Sequence, residues 1–241
     1  MVLLLTACVN PDGMAFTALG DPCERMAQYA AAVKYYMCAT SFPIVFVDNS
    51  GSDISGALAG CEAGRLECLS FDGNRDKQRG KGYGEAEIIR YALDHSVTLR
   101  RLPSARIAKI TGRLQIVNLN TIYRVHKWLF PSETVFCAIN SDLSFPDSRL
   151  IIGNSRFFKT FLPATDAIDD SAGYYFEHAL IDTLRRDKSI AYSPFFVMPR
   201  VQGVSGSTGQ VYDGARPTAG FMFSYARYAL MQLRQFRKLY R

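Results

Sequence analysis

Apolar residues in this chain fall into short continuous runs separated by polar turns. Residues 2–9 form the first run, and shorter runs cover 42–47 and 66–71. Uninterrupted runs of this length are typical of strands that a parallel sheet buries on both faces. Helical periodicity follows at 21–40, 80–93 and 118–129, and later at 156–162 and 173–186. With further strands predicted at 106–114, 135–139 and 150–153, the alternation indicates an α/β fold.

Polar residues follow the first two predicted strands. Asn10 begins a turn at 10–13, and Asp48 and Asn49 end the second strand. Ligands of open α/β sheets bind just beyond the carboxyl ends of strands, where an acidic residue can accept hydrogen bonds from a base or a ribose. Asp48 could equally be a turn former or a helix N-cap.

A glycine-rich loop opens the 80–93 segment and runs into its helix. Gly80, Gly82 and Gly84 allow close backbone approach, Lys81 adds a cation, and Glu85 lies in the first turn of the helix. A loop of this kind opening a helix can hold a phosphate. Its spacing matches neither the nucleoside-triphosphatase loop nor the dinucleotide fingerprint. A flexible surface connection is the alternative.

The predicted strand at 106–114 carries Lys109, Thr111 and Arg113 on one side of its pleat. Two cations and a hydroxyl on one face suit a diphosphate, and a solvent-facing edge is the alternative. Between positions 79 and 127 there are ten Lys or Arg and three Asp or Glu, whereas the whole chain carries a net charge of +6. The positive charge is therefore concentrated around these two stretches.

Composition adds few constraints. The 241 residues are 48% hydrophobic and 21% charged, as in an ordinary globular protein. The first apolar run lacks a basic flank and is too short for a membrane span, so we expect a buried strand and a cytoplasmic protein. The six cysteines have no metal-ligand spacing and the three histidines are scattered.

Two segments near the end have distinctive compositions. Residues 203–209 are rich in glycine and hydroxyls, and Ser205, Ser207 and Thr208 could belong to a lid over a ligand or to a plain linker. From about residue 223 a final helix combines five basic residues with aromatic ones and has no acidic residue. This pattern suits an inner-leaflet membrane surface or an acidic partner.

The order of these features resembles bacterial GT-A-type glycosyltransferases of surface polysaccharide and lipopolysaccharide biosynthesis. The resemblance covers roughly residues 1–180 and rests on 6–11 (TACVNP), 47–53 (VDNSGSD) and 80–93 (GKGYGEAEIIRYAL). It implies a GT-A-like, Rossmann-like mixed sheet flanked by helices, in one domain at 1–222. The donor-binding part would be about 1–130, the acceptor part about 131–222, and 223–241 the basic amphipathic helix. Thr6 joins the expected donor-binding residues on this basis.

The sequence departs from that family at one chemically important point. Members usually carry an Asp-x-Asp metal motif after the glycine loop and its helix, where this chain has Lys109 and Arg113. Cations can stabilise a leaving diphosphate as a metal would. We therefore expect metal-independent catalysis without a cofactor. The alternative is Mn²⁺ or Mg²⁺ held by Asp142 and Asp147.

Inverting members use a carboxylate at a helix start to deprotonate the acceptor, and Glu177 is placed like that residue. An ordinary first-turn glutamate is the alternative. The resemblance thus implies transfer of a sugar from a nucleotide-sugar donor to a lipid-linked or polysaccharide acceptor, on the cytoplasmic face of the inner membrane.

Two alternatives remain. A sugar nucleotidyltransferase would need a glycine-rich first turn with a following lysine, which is missing near residue 10. A nucleic-acid-binding module is suggested by the basic 79–127 stretch with its aromatic residues. We expect no nucleic-acid partner.

Overall fold

The first strand, β1 (Val2–Ala7), is completely surrounded by protein, as its apolar run predicts. It pairs in parallel with β2 (Ile44–Asp48) on one side and β4 (Ile107–Thr111) on the other. This computed structural model describes residues 1–14, 17–58, 64–131, 133–140, 145–206, 208–214, 227–228 and 230–234.

Seven strands form the main sheet in the order β3-β2-β1-β4-β7-β6-β8, where the remaining members are β3 (Leu66–Ser70), β6 (Val135–Phe136), β7 (Leu150–Gly153) and β8 (Tyr192–Ser193). The first four strands are parallel, whereas β7 runs antiparallel to β4 and β6. A smaller antiparallel sheet joins β5 (Gln115–Ile116), β9 (Val201–Val204) and β10 (Val211–Asp213). The mixed sheet of the predicted α/β class is confirmed.

Helices cover both faces of the main sheet. One face packs against α2 (Lys81–His95), α5 (Ser155–Phe161) and α6 (Phe176–Arg186). The other face packs against α1 (Pro22–Ala39) and α4 (Leu119–Leu129), and the short α3 (Val97–Arg101) follows α2. Each face buries its own apolar cluster, which explains why the strands read as continuous apolar runs.

Local signals account for several element boundaries. The carboxylate of Asp21 accepts a hydrogen bond from the backbone N–H of Cys23 at 3.0 Å, and Pro22 occupies the first helical position of α1. The side chain of Asn154 likewise accepts from Phe157 N–H at 2.9 Å, at the start of α5. Both helices begin within two residues of the predicted starts.

Three predicted segments differ from the structure. Residues 81–84, expected in a loop, already belong to α2. The strand expected at 135–139 ends at Phe136, and the helix expected from Gly173 starts at Phe176. Most of the 223–241 helix lies outside the described residues, although 227–228 and 230–234 are helical. Within the described chain, no helix has both the length and the apolar character needed to cross a membrane.

Candidate functional site

A cavity of about 750 Å³ opens at the carboxyl ends of β1 and β4, between the main sheet, α2 and the β9–β10 hairpin. This is the edge at which open α/β sheets bind ligands. Eleven of the predicted site residues line it: Thr6, Asn49, Lys81, Gly82, Gly84, Glu85, Thr111, Arg113, Asp147, Glu177 and Ser205. The fold therefore gathers residues that are up to 199 positions apart in the sequence.

Five predicted site residues do not line the cavity: Asn10, Asp48, Gly80, Lys109 and Thr208. Ser207 and Asp142 lie outside the described residues. Asn10 is exposed, and its side chain accepts a hydrogen bond from Asp12 N–H at 3.2 Å in the first turn. Thr208 is exposed too, and its hydroxyl accepts a hydrogen bond from Gln210 N–H at 3.3 Å. Both side chains serve local turns.

Asp48 organises a turn instead of meeting a ligand. Its buried carboxylate accepts hydrogen bonds from the backbone N–H groups of Val9, Ser50 and Ser52 at 2.7–3.0 Å. The Ser50 hydroxyl donates to the same group at 2.8 Å. Burial raises the pKa of this carboxyl in spite of these hydrogen bonds. The ribose or base contact predicted for Asp48 is corrected, because its acceptor oxygens are already occupied.

The glycine stretch is packed against a carboxylate, not left open for a phosphate. Asp170 accepts hydrogen bonds from the backbone N–H groups of Lys81 and Gly82 at the start of α2. A Cβ at Gly80 would lie 2.2 Å from Asp170 Oδ2, and one at Gly82 would lie 2.9 Å from Oδ1. Gly80 also has a φ of 92°, in the left-handed region. The α2 N-terminus therefore already holds an internal anion, which corrects the predicted phosphate loop.

Lys109 lies behind the cavity wall. Its ammonium group forms an ion pair with Glu85 at 2.5 Å and donates to the backbone oxygen of Ser148 at 2.7 Å. The side chain is 0% exposed. Glu85 also accepts a hydrogen bond from the Thr6 hydroxyl at 2.9 Å. The predicted contact of Lys109 with a diphosphate is therefore corrected, because a buried charge needs its own partner.

Glu177 faces the cavity in the first turn of α6. The hydroxyl of Ser148 donates to its carboxylate at 2.5 Å. Burial raises the pKa of Glu177, and the nearby charge of Glu85 adds to the increase, while Ser148 and Lys109 oppose it. Its own backbone N–H also opposes the increase. A carboxylate with a raised pKa at a cavity wall has the chemistry of a proton acceptor.

Three cations line the cavity: Arg25 from α1, Lys81 from α2 and Arg113 just after β4. Arg25 is only 5% exposed, and its guanidinium also donates to the backbone oxygens of Cys8 and Leu19 at 2.8 and 3.0 Å. Burial lowers the pKa of Lys81 to about 8, and the positive charges of Arg113 and Arg25 lower it further, against the opposing effect of Asp170. Cations grouped in this way repel one another, and an anion bound beside them would relieve the repulsion.

The orientation of Arg113 depends on the β9–β10 hairpin. Its guanidinium donates to the backbone oxygen of Val204 at 3.2 Å and lies 5.8 Å from the ring centroid of Tyr29. A Cβ at Gly206 would come within 2.2 Å of Arg113 Nη2, so this glycine permits the approach. The backbone oxygen of Gly206 accepts from Ala18 N–H at 3.0 Å. Val204 and Gly206, which belong to the segment predicted as a lid or linker, therefore lie against Arg113.

The alternative metal ligand, Asp147, is engaged by a cation. Its two oxygens accept from Nε and Nη2 of Arg149 at 2.8 and 2.5 Å. The guanidinium of Arg149 also lies 4.9 Å from the ring centroid of Tyr212. In the ranges that the structure describes, no three His, Cys, Asp or Glu side chains are grouped as metal ligands. The carboxylate of Asp147 would have to leave Arg149 to bind a metal ion.

The basic stretch at 79–127 does not form one surface. Arg79 lies over the Tyr83 ring and donates to the backbone oxygen of Ile168, whereas Arg106 donates to the backbone oxygens of Phe130 and Pro131. Lys109 is buried, and Lys81 and Arg113 line the cavity. The other five cations of this stretch are exposed: Arg90, Arg100, Arg101, Arg124 and Lys127.

No protein-family model matches this sequence, and no curated protein matches it either. Three solved structures are similar over most of the chain. Mouse xyloside xylosyltransferase 1, in its apo form, is 12% identical with a TM-score of 0.44, covering 80% of this chain and 83% of that one. A cytidylyltransferase from Leptospira borgpetersenii serovar Hardjo-bovis is 9% identical with a TM-score of 0.42, covering 80% and 74%.

The third structure is 4-diphosphocytidyl-2C-methyl-D-erythritol synthase from Anaerococcus prevotii, which is 10% identical with a TM-score of 0.40 and covers 94% of both chains. All three solved structures are thus transferases or a synthase by name. Similarity at this level transfers no residue role to this chain.

Sequence patterns did not reveal several residues of the site. Arg25 and Tyr29 lie one turn apart on α1, and Asp170 follows a 3-10 turn, in segments without a motif. Cys8 also lines the cavity, where burial raises the pKa of its thiol to about 11, so the thiol stays protonated. The sequence offers one indication of this part of the site: Arg25 precedes Tyr29 by four residues, which places both side chains on the same face of a helix.

Proposed function

We propose that this protein is a nucleotide-sugar-dependent glycosyltransferase. The observation that carries the proposal is the pairing, in one cavity, of a cation group with a buried carboxylate. Arg25, Lys81 and Arg113 offer positive charge to a diphosphate, and Glu177 offers a base to an acceptor hydroxyl. A transferase that moves a sugar from a nucleoside diphosphate needs both groups.

The reaction follows from these roles. Glu177 takes the proton of an acceptor hydroxyl, whose oxygen attacks the anomeric carbon of the donor sugar. The bond between that carbon and the diphosphate oxygen breaks, and the electron pair leaves with the nucleoside diphosphate. Lys81, Arg113 and Arg25 stabilise the charge that develops on this leaving group. Attack opposite to the leaving group inverts the anomeric configuration.

The proposed catalysis is metal-independent, since side-chain cations occupy the role that a divalent ion would have. Thermal-shift measurements with UDP, GDP, dTDP and CMP, each with EDTA and with Mn²⁺, test this. We expect one nucleoside diphosphate to raise Tm equally in both conditions. A shift seen only with Mn²⁺ would favour the alternative in which Asp147 binds a metal ion. If no nucleotide shifts Tm, the proposed donor site is wrong.

We also propose that the acceptor is lipid-linked or a polysaccharide handled at an anionic membrane. The described part of the C-terminal helix exposes Leu230 and Leu233, at 62% and 39%, beside the exposed Arg227 and Arg234. Gln232 anchors the other side of this helix to the backbone of Ile139. Apolar and basic side chains together on the exposed side suit an anionic interface. Cosedimentation should be strong with vesicles containing phosphatidylglycerol and absent with pure phosphatidylcholine. Equal binding to both kinds of vesicle, or binding to neither, would contradict the proposed membrane association.

A further inference from the structure

A group of aromatic side chains at the cavity mouth has no role in the proposed chemistry. Phe145 and Tyr175 line the cavity while remaining 39% and 37% exposed. Their ring centroids are 6.0 Å apart at an interplanar angle of 68°, and both contact the ring of His178. We call Phe145 and Tyr175 the aromatic platform.

The aromatic platform is held in place by hydrogen bonds. The N–H of Phe145 donates to Asn140 Oδ1 at 2.9 Å, and its backbone oxygen accepts from Asn140 N–H at 3.1 Å. The N–H of Tyr175 donates to His178 Nδ1 at 3.0 Å. These hydrogen bonds fix the backbone that carries the two rings, and the rings themselves contact His178 and each other. Rings restricted in this way lose little conformational entropy when a ligand covers them.

Polar groups surround the aromatic platform. Glu177 follows Tyr175 by two positions, and Asp147 with its partner Arg149 follows Phe145. All three charged side chains line the same cavity. Flat apolar faces beside a few hydrogen-bonding groups match a molecule that has an apolar face of C–H groups and a rim of hydroxyls. A pyranose ring is such a molecule.

The position of the aromatic platform separates it from the nucleotide. Glu177 and Ser148 connect the aromatic platform to the antiparallel half of the sheet, since Ser148 lies two residues before β7. The cation group lies on the parallel half, by β1, α1 and α2, where α/β sheets bind nucleotides. A ligand on the aromatic platform would thus approach Glu177 from the side opposite to the diphosphate.

From this geometry we infer that Phe145 and Tyr175 form an acceptor subsite that stacks against a saccharide unit. The inference rests on the proposed function, because it places the acceptor hydroxyl beside Glu177. It specifies that the recognised part of the acceptor is a carbohydrate ring, with any lipid carried farther from the cavity.

Saturation-transfer NMR on the intact protein tests the subsite directly. The probes are the methyl glycosides of glucose, galactose, mannose and N-acetylglucosamine, measured with and without the nucleoside diphosphate that raises Tm. We expect transfer to the ring C–H protons of at least one glycoside. Phe145→Leu and Tyr175→Leu keep apolar volume but remove a flat face, and each should weaken that binding about tenfold.

Trp128→Leu is the matched control, because Trp128 is an 85% exposed aromatic residue that does not line the cavity. It should leave glycoside binding unchanged. Equal losses in all three variants, or no transfer to any glycoside, would overturn the inference. Transfer to octyl phosphate alone would also overturn it, in favour of a lipid on the aromatic platform.

The two proposals fail in different ways. If a nucleoside diphosphate raises Tm but the platform variants bind glycosides like the original protein, the subsite is wrong and the donor site stands. If glycosides bind in a platform-dependent manner but no nucleotide raises Tm, the subsite stands and the transferase proposal fails.

Discussion

Lys109 and Glu177 are both buried ionisable side chains, and their partners decide their roles. Lys109 forms a buried ion pair with Glu85, so its charge is neutralised within the protein. Burial raises the pKa of Glu177, and the Ser148 hydroxyl and the charge of Lys109 oppose this increase only in part, so Glu177 can take a proton. The sequence pattern alone could not show which of these two side chains is paired within the protein and which remains able to react.

Removing the ammonium group of Lys109 should destabilise the fold. In Lys109→Ala, Glu85 loses its partner and a cavity forms, and we expect a loss of about 3 kcal/mol in the free energy of unfolding. Urea denaturation measures it. The double variant Lys109→Met with Glu85→Gln should recover much of this loss. If Lys109→Ala is as stable as the original protein and has lost only nucleotide binding, Lys109 contacts the diphosphate after all.

Glu177→Gln should abolish proton transfer without unfolding the site, since the Ser148 hydroxyl can still donate to the amide oxygen. We expect turnover with a nucleotide-sugar donor to fall about 10²–10⁴-fold, with nucleotide binding unchanged. Glu24→Gln, at an exposed position on α1, is the control.

The pH profile gives an independent check on Glu177. A general base acts when ionised, and the pKa of Glu177 is raised, so activity should fall on the acid side at a pH above the usual glutamate range. An acid limb at an ordinary glutamate pKa would contradict the role.

At the scale of elements, α2 shows how packing changes the meaning of glycine. Gly82 lies inside the first turn of this helix, where alanine would normally be better by about 1 kcal/mol. However, a Cβ there would lie 2.9 Å from Asp170 Oδ1 and 3.0 Å from the backbone nitrogen of Phe176. The glycine lets α2 approach the start of α6.

Gly82→Ala should therefore destabilise the protein by about 1–3 kcal/mol, opposite in sign to the helix-propensity effect. Gly56→Ala is a suitable control, because a Cβ at Gly56 meets no atom within 4 Å and its φ is not positive. Chemical denaturation of both variants measures the difference. A stabilised Gly82→Ala would show that α2 does not pack as described.

At the scale of the whole molecule, the cation group exists only because distant elements converge. Arg25, Lys81 and Arg113 come from α1, α2 and the turn after β4. Burial lowers the pKa of Lys81 to about 8, and the charges of Arg113 and Arg25 add to the decrease. A bound diphosphate would stabilise the protonated lysine and raise that pKa. Binding of the anion is then linked to uptake of a proton wherever free Lys81 is neutral.

Nucleotide affinity should accordingly be constant below pH 8 and fall above it, by at most about tenfold per pH unit. Isothermal titration between pH 6.5 and 9.5 measures this. Lys81→Met should bind more weakly at pH 7 and lose the alkaline decline. An alkaline decline that persists in Lys81→Met would assign it to another group.

The sequence by itself determined the α/β class, the order of the main elements and the strand ends at which the cavity opens. Apolar runs such as residues 2–9 and helical periodicity at 118–129 are local properties that the fold keeps, because both faces of the sheet are covered. The helix cap at Asp21 belongs to the same class of local signal.

Only the tertiary structure decided which polar residues meet the cavity. Asp48 and Lys109 have side chains suited to binding a nucleotide. However, Asp48 accepts hydrogen bonds from backbone N–H groups, and Lys109 forms an ion pair with Glu85. Conversely, Arg25 and Asp170 reach the cavity from segments without a motif. The physical reason is that hydrogen bonding, ion pairing and burial depend on neighbours distant in the sequence, whereas periodicity depends on adjacent residues.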